Sequence, residues 1–169
     1  MRLYRSEVDT LILPGARGSE VRAIAPYKSG FLHSASGSSS GSAIDASLLQ
    51  GGSNCLRVDM KAQPAPTTYL DARVPFRDQA LGASFHVRFE GVARLDEHLQ
   101  KILDASPDAR TTEAKEHYEF NNPIFEVSRE EDRWMESTAW VGHGHYVVER
   151  QGEAMDVAVE FEIYQLVSS

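Results

Sequence analysis

Asp71 and Arg73 stand two residues apart, so on a strand they share one face while Leu70, Ala72 and Val74 share the other. If that apolar set packs against an outer core, the charged pair faces a lumen. A lumenal arginine can hold a phenolate, enolate or carboxylate, and an adjacent aspartate fixes its orientation. The ordinary alternative is an ion pair in solvent. His86 and Arg88 pose the same choice, with the outside as the default for a polar strand face. His33 follows the apolar pair Phe31-Leu32 just ahead of a Ser/Gly-rich stretch, where an imidazole could titrate near neutrality and take a proton from a phenol. His33, Asp71 and Arg73 are therefore candidate catalytic residues.

The run His143-Gly144-His145-Tyr146-Val147-Val148-Glu149 imitates half of a metal site, with two histidines and a carboxylate on one strand face. The cupin pattern draws a further histidine from downstream, and none follows His145. The glycine expected before the motif is replaced by Ser137. No metal site is expected, although His86 could complete one in space. Tyr118, Phe120, Phe125, Trp134 and Trp140 could clasp a planar ligand by ring stacking. Tyr118, Phe120 and Trp140 are the substrate-binding candidates, and Trp134 reads as packing. No nucleophile elbow or phosphate-cradling glycine loop is present, and Cys55 lacks a context that lowers a thiol pKa. No cofactor is expected.

These residues ride on alternating segments. Phe85, Val87 and Phe89 oppose His86, Arg88 and Glu90, and Val157, Val159, Phe161 and Ile163 oppose Glu160 and Glu162. Further strands are predicted at 9–13, 30–35, 43–49, 56–60, 69–76 and 138–149. So many strands with short turns predict an antiparallel sandwich or barrel. Leu95, Leu99, Ile102 and Leu103 recur at helical spacing, with Asp96 placed to cap and Pro107 to terminate. One short amphipathic helix on an all-β body is the expectation. The stretch 34–42 reads as a hairpin or rim rather than a linker.

At 169 residues with 41% hydrophobic composition, the chain fits a single domain over residues 1–169. Its net charge of -8 disfavours phosphate backbones and anionic lipid, so neither nucleic acid nor membrane is an expected partner. The single cysteine forms no internal disulfide, and the charged opening residues do not resemble a signal peptide. A cytoplasmic location is expected. A homo-oligomer is neither demanded nor excluded, because a closed barrel leaves no edge strand seeking a partner.

Leu70-Asp71-Ala72-Arg73, Gly82-Ala83-Ser84-Phe85-His86-Val87-Arg88, Pro123-Ile124-Phe125-Glu126, Trp134 and Trp140-Val141-Gly142 follow one another in a specific order. In that order the chain resembles the domain-of-unknown-function (DUF) 3237 family over nearly its whole length. The resemblance implies a single antiparallel, lipocalin-like β-barrel with a polar-lined central cavity. Some fungal members look like small-molecule isomerases, including a type that cyclises chalcones to flavanones. Arg88 matches a position the family frequently keeps charged and joins the catalytic candidates. Gly52-Ser53-Asn54-Cys55 stands where the family often has an Asp-Trp pair, which places Asn54 among the substrate-binding candidates. Val74 replaces a frequent tyrosine.

The expectation is a cofactor-independent isomerase or cyclase of a planar phenolic or polyketide-like molecule, such as a chalcone in flavonoid-type secondary metabolism. His33 would be the base, Arg73 and Arg88 would hold the enolate, and Asp71 would orient Arg73. The alternatives are a non-catalytic hydrophobic-ligand barrel and a cupin-like metal enzyme using His143, His145 and Glu149.

Overall fold

The computed structural model describes residues 1–6, 9–15, 20–35, 43–152 and 154–168. Its strands are β1 (Arg2–Arg5), β2 (Leu11–Pro14), β3 (Val21–His33), β4 (Asp45–Leu48), β5 (Ser53–Asp59), β6 (Thr67–Asp78), β7 (Ala83–Arg94), β8 (Glu119–Val127), β9 (Trp140–Gln151) and β10 (Ala154–Gln165). The helix α1 spans Glu97–Leu103, and two 3₁₀ turns cover Ala114–Glu116 and Glu130–Met135. Alternation produces the strands as read, with two additions. The sequence reading omits β1, and it omits β8, whose inward residues begin Glu119, Asn121, Pro123 and do not look apolar. It also underestimates β3, which starts at Val21.

The sheet closes on itself. Running β1–β10–β9–β8–β7–β6–β5–β3 and back to β1, every neighbour is antiparallel, giving an eight-stranded barrel with β2 and β4 as flanking additions to β3. Closure removes free sheet edges. Long hairpins dominate: β6 and β7 pair from Thr67↔Arg94 to Asp78↔Ala83, turning at Gly82 with φ +63°, which glycine adopts without steric cost.

Closure also decides which face is the core. Phe76, Phe85, Phe89, Phe161, Leu3, Val74 and Val87 are almost completely buried inside the barrel. An eight-stranded barrel is just wide enough for side chains to fill, so its apolar faces point inward and its charged faces outward. That corrects the lumenal placement expected for Asp71, Arg73 and Arg88. Asp71 and Arg73 pair on the outer wall at 3.1 Å with side chains 42% and 54% exposed, and Arg88 pairs with Glu90 at 3.1 Å, also outside. Among the described residues no second layer covers this wall, so the apolar stripe turns inward.

The helix is placed by its cap. Asp96 accepts from the Leu99 amide at 2.8 Å, and Leu99 and Ile102 are the buried face. The helix stops at Leu103, before Pro107. The Ser/Gly-rich rim lies mostly in residues 36–42, outside the described residues. Among the described residues no helix is long and apolar enough to cross a membrane.

Candidate functional site

Among the described residues, two cavities of the barrel interior share Phe161 in their walls. One, of about 330 Å³, lies beneath α1, whose Leu99, Ile102 and Leu103 line it together with Ile12, Leu56, Val58 and Leu70. Polar side chains interrupt this apolar lining, among them Arg5, Thr10 and Thr68, and a set of four: Tyr27 on β3, Asn54 on β5, Glu119 on β8 and Tyr146 on β9. Each sits there because it shares parity with the inward apolar residues of its strand.

Glu119 is only 3% exposed. Burial pushes its carboxyl up to about 7, while a hydrogen-bonding interaction with Tyr146 works in the opposite direction. Burial first, and then the neighbouring Glu119, raise the Tyr146 phenol well above its usual range. The Tyr27 phenol is also raised by burial, against a stabilising interaction with Asn54. Asn54 is itself fixed: its Oδ1 accepts from the Asp71 amide at 3.1 Å. The four groups thus form two coupled pairs, Glu119 with Tyr146 and Tyr27 with Asn54. A buried carboxyl titrating near neutrality can accept and return a proton at little cost.

Gly144 makes room for the carboxyl, since a Cβ there would lie 2.8 Å from Glu119 Cδ. A chain of contacts fastens the helix to the Tyr146 strand. The Asp96 carboxylate that caps α1 also meets His117 Nδ1 at 2.6 Å, and His117 Nε2 meets Thr112 Oγ1 at 2.7 Å. Thr112 in turn brackets Tyr146, donating its amide to the Tyr146 carbonyl at 2.9 Å and accepting the Tyr146 amide on Oγ1 at 3.0 Å. Residues 111 and 112 thereby line the β9 edge where β8 pairing, limited to Phe120↔His143 and Asn121↔Gly142, has ended.

The second cavity, about 510 Å³, opens at the other end between Leu32, Ile44, Phe125, Trp134, Met135 and Trp140. His33 stands at its rim, half exposed, stacked on Phe31 at 4.2 Å and paired with Asp45 at 2.8 Å. Trp140 packs against Phe125 and Trp134 and donates to the Met135 carbonyl at 3.0 Å.

The residues singled out from sequence therefore part company. Asn54 lies in the helix-capped cavity; His33 and Trp140 border the other. Asp71, Arg73 and Arg88 are on the outer wall, as are Tyr118, with Arg94 3.9 Å over its ring, and Phe120, stacked on His143 at 4.4 Å. These two aromatics have the outward parity of β8, so they line neither cavity. His145 faces Glu160 at 3.9 Å, and Glu149 pairs with Arg2 at 3.5 Å. Among the described residues no group of three or more His, Cys, Asp or Glu side chains is placed to hold a metal ion. Sequence reasoning missed Tyr27, Glu119 and Tyr146. The signal for Tyr146 was present in the same run as the histidines, at opposite parity, where Gly142 and Gly144 mark a face that must admit something bulky.

Fold and site together define a closed antiparallel barrel with a buried carboxyl beside a phenol inside a helix-capped, mostly apolar cavity. The chain belongs to the family described as Protein of unknown function (DUF3237), whose model matches residues 4–166. Solved structures share the architecture. A conserved protein of unknown function from Rhodopseudomonas palustris superposes with a TM-score of 0.69 at 22% identity, covering 98% of this chain and 92% of the other. A protein of unknown function from Clostridium acetobutylicum gives 0.64 at 18% identity, with 98% and 95% covered. A β-barrel-like protein from Acinetobacter baumannii gives 0.56 at 16% identity, with 97% and 93% covered. None of the curated proteins matches the chain.

Proposed function

We propose that the barrel takes a small planar hydrophobic molecule into the cavity beneath α1 and moves a proton on it without a cofactor, as an isomerase or cyclase of a phenolic or polyketide-like compound. The observation that carries this reading is the Glu119–Tyr146 pair, a buried carboxyl held near neutrality beside a phenol in a predominantly apolar pocket. The roles first assigned to His33, Arg73 and Arg88 pass to these interior groups. For ring closure of a chalcone to a flavanone, ionised Glu119 accepts the phenolic proton and the oxygen adds to the conjugated double bond. The resulting enolate regains a proton at carbon from Glu119, so the product is an isomer of the substrate. Tyr146 donates to the developing charge.

An ortho-hydroxychalcone incubated with the purified protein should give one flavanone enantiomer in excess by chiral chromatography, and Glu119→Gln should lose that excess. Racemic product at the uncatalysed rate overturns the reading. The strongly apolar lining favours a second reading, a barrel that only sequesters its ligand. Saturable quenching of tryptophan fluorescence with the ligand recovered unchanged would select it.

A further inference from the structure

Arg5 is the charge in the wall of the helix-capped cavity that the Glu119–Tyr146 pair leaves unused. Among the described residues lining this cavity it is the one cationic side chain, and Glu119 is the one anionic side chain. Asp96 is the charged neighbour that acts on Glu119, so Arg5 is not spent on it. Burial also keeps the Glu119 carboxyl protonated up to about 7, which leaves the guanidinium as the charge of the described lining at mildly acid pH. Asp9, farther along the same segment, is held by the Ser6 hydroxyl at 2.7 Å. The lining is thus mostly apolar with one positive place.

The register sets that place beside a phenol. Arg5 shares the inward parity of Leu3 on β1 and stands opposite Tyr27 on β3, at a shift in register between Tyr4 and Arg5. The shift skips Lys28, so Tyr27 and Leu32 both turn inward although they lie an odd number of residues apart. Directly opposed side chains have Cβ atoms about 4.5–5.5 Å apart, so the arginine and the tyrosine can converge on one group. Asn54 Oδ1 accepts from the Asp71 amide at 3.1 Å. The part of Asn54 that favours the Tyr27 oxygen is therefore its NH₂, which leaves the Tyr27 O–H as a donor. A guanidinium carries five N–H donors, enough to serve a neighbour in the wall and a ligand together.

We propose that Arg5 and Tyr27 form a carboxylate-binding subsite of this cavity, and that its ligand is a planar hydrophobic monocarboxylic acid of one or two rings. The carboxylate accepts N–H bonds from the Arg5 guanidinium and the O–H bond of Tyr27, while the apolar body lies among Leu56, Val58, Leu70, Leu99 and Ile102. A space of about 330 Å³ is at the small end of ligand pockets, which sets the ring count. The inference rests on the reading that this cavity takes the ligand, and it narrows the substrate class to acids among the phenolic or polyketide-like compounds. The charge of Glu119 acts on Tyr27, so a head group held there brings the conjugated body within reach of that carboxyl.

Cinnamate and cinnamamide share one planar body and differ in the charge of the head group, which makes them a matched pair of probes. At about pH 6 the acid is ionised and Glu119 is protonated. Dissociation constants measured there by calorimetry should favour cinnamate by about tenfold or more in the native protein, the effect of a charge-assisted hydrogen bond. Arg5→Gln should abolish that preference and leave the cinnamamide constant unchanged. Tyr27→Phe should weaken cinnamate about fivefold, the effect of one neutral hydrogen bond, which keeps the test open if the glutamine variant fails to fold; melting curves monitor that. If both variants fold and bind cinnamate as the native protein does, the carboxylate sits elsewhere and the assignment falls. If the native protein binds the two probes equally, or neither, the assignment falls as well, and the chalcone ring closure described above decides the acid–base reading by itself.

Discussion

The two ends of the barrel divide size from chemistry. The larger cavity, about 510 Å³, is walled by Phe125, Trp134 and Trp140, and its histidine, His33, sits half exposed at the rim, paired with Asp45. The smaller, about 330 Å³, is the one in which a carboxyl and two phenols are desolvated. Volume alone would point to the end that holds no such desolvated group. Proton chemistry follows the groups that burial perturbs, because only there does the environment separate the two protonation states from their values in water.

The most severe way to break this division is to remove the wall. Phe161 is 2% exposed, contacts Phe89 at 5.3 Å between ring centroids, and lines both cavities. Phe161→Ala should cost about 3–5 kcal/mol of stability in chemical denaturation and join the two spaces. Glu119→Gln should lower proton transfer by about a hundredfold, on the scale of lost general acid–base catalysis, with the protein still folded. In the native protein that rate should rise with pH through about 7, since the acting base is the ionised carboxylate.

Stability carries the opposite sign. A carboxyl raised from 4.5 to about 7 in the folded state binds its proton more tightly there than in the unfolded chain. Stability is therefore lost as pH rises from about 4.5 to 7. Glu119→Gln removes that dependence and should stabilise the fold by on the order of 2 kcal/mol at pH 8, and by almost nothing at pH 4. A variant with the same melting-temperature change at both values would contradict the buried-carboxyl assignment. The smallest effects belong outside. Arg73→Ala and Arg88→Ala should change stability by less than about 0.5 kcal/mol and leave proton transfer untouched, and His33→Ala should do likewise for the reaction.

The architecture was legible where periodicity and hydrophobicity agreed. The β7 and β10 alternation, the Leu95–Leu103 stripe and the Asp96 cap all appear as read. Strand β8 was not legible as a strand, because Glu119, Asn121 and Pro123 occupy its inward face while Phe120 and Ile124 point outward, the reverse of the usual pattern. That inversion is also why the site was missed. Sequence parity correctly put Asp71 with Arg73 on one face but could not say which face closes around the core. Closure of a small barrel settled it, since the apolar residues of all eight strands must fill the one interior available. Chemistry in such a barrel is carried by the polar residues that break the inward rule, and they are visible only once the strands have been assembled.

The latch between the helix and the Tyr146 strand makes one amide a sentinel. The Tyr146 N–H is held by the Thr112 hydroxyl oxygen, which His117 also contacts, and His117 in turn meets the carboxylate that caps α1. Its exchange with solvent deuterium is therefore governed by the fastening of the mouth as well as by unfolding of the barrel. Slow exchange there would mark a sealed vessel, and rapid exchange amid protected neighbours would time how often the vessel opens.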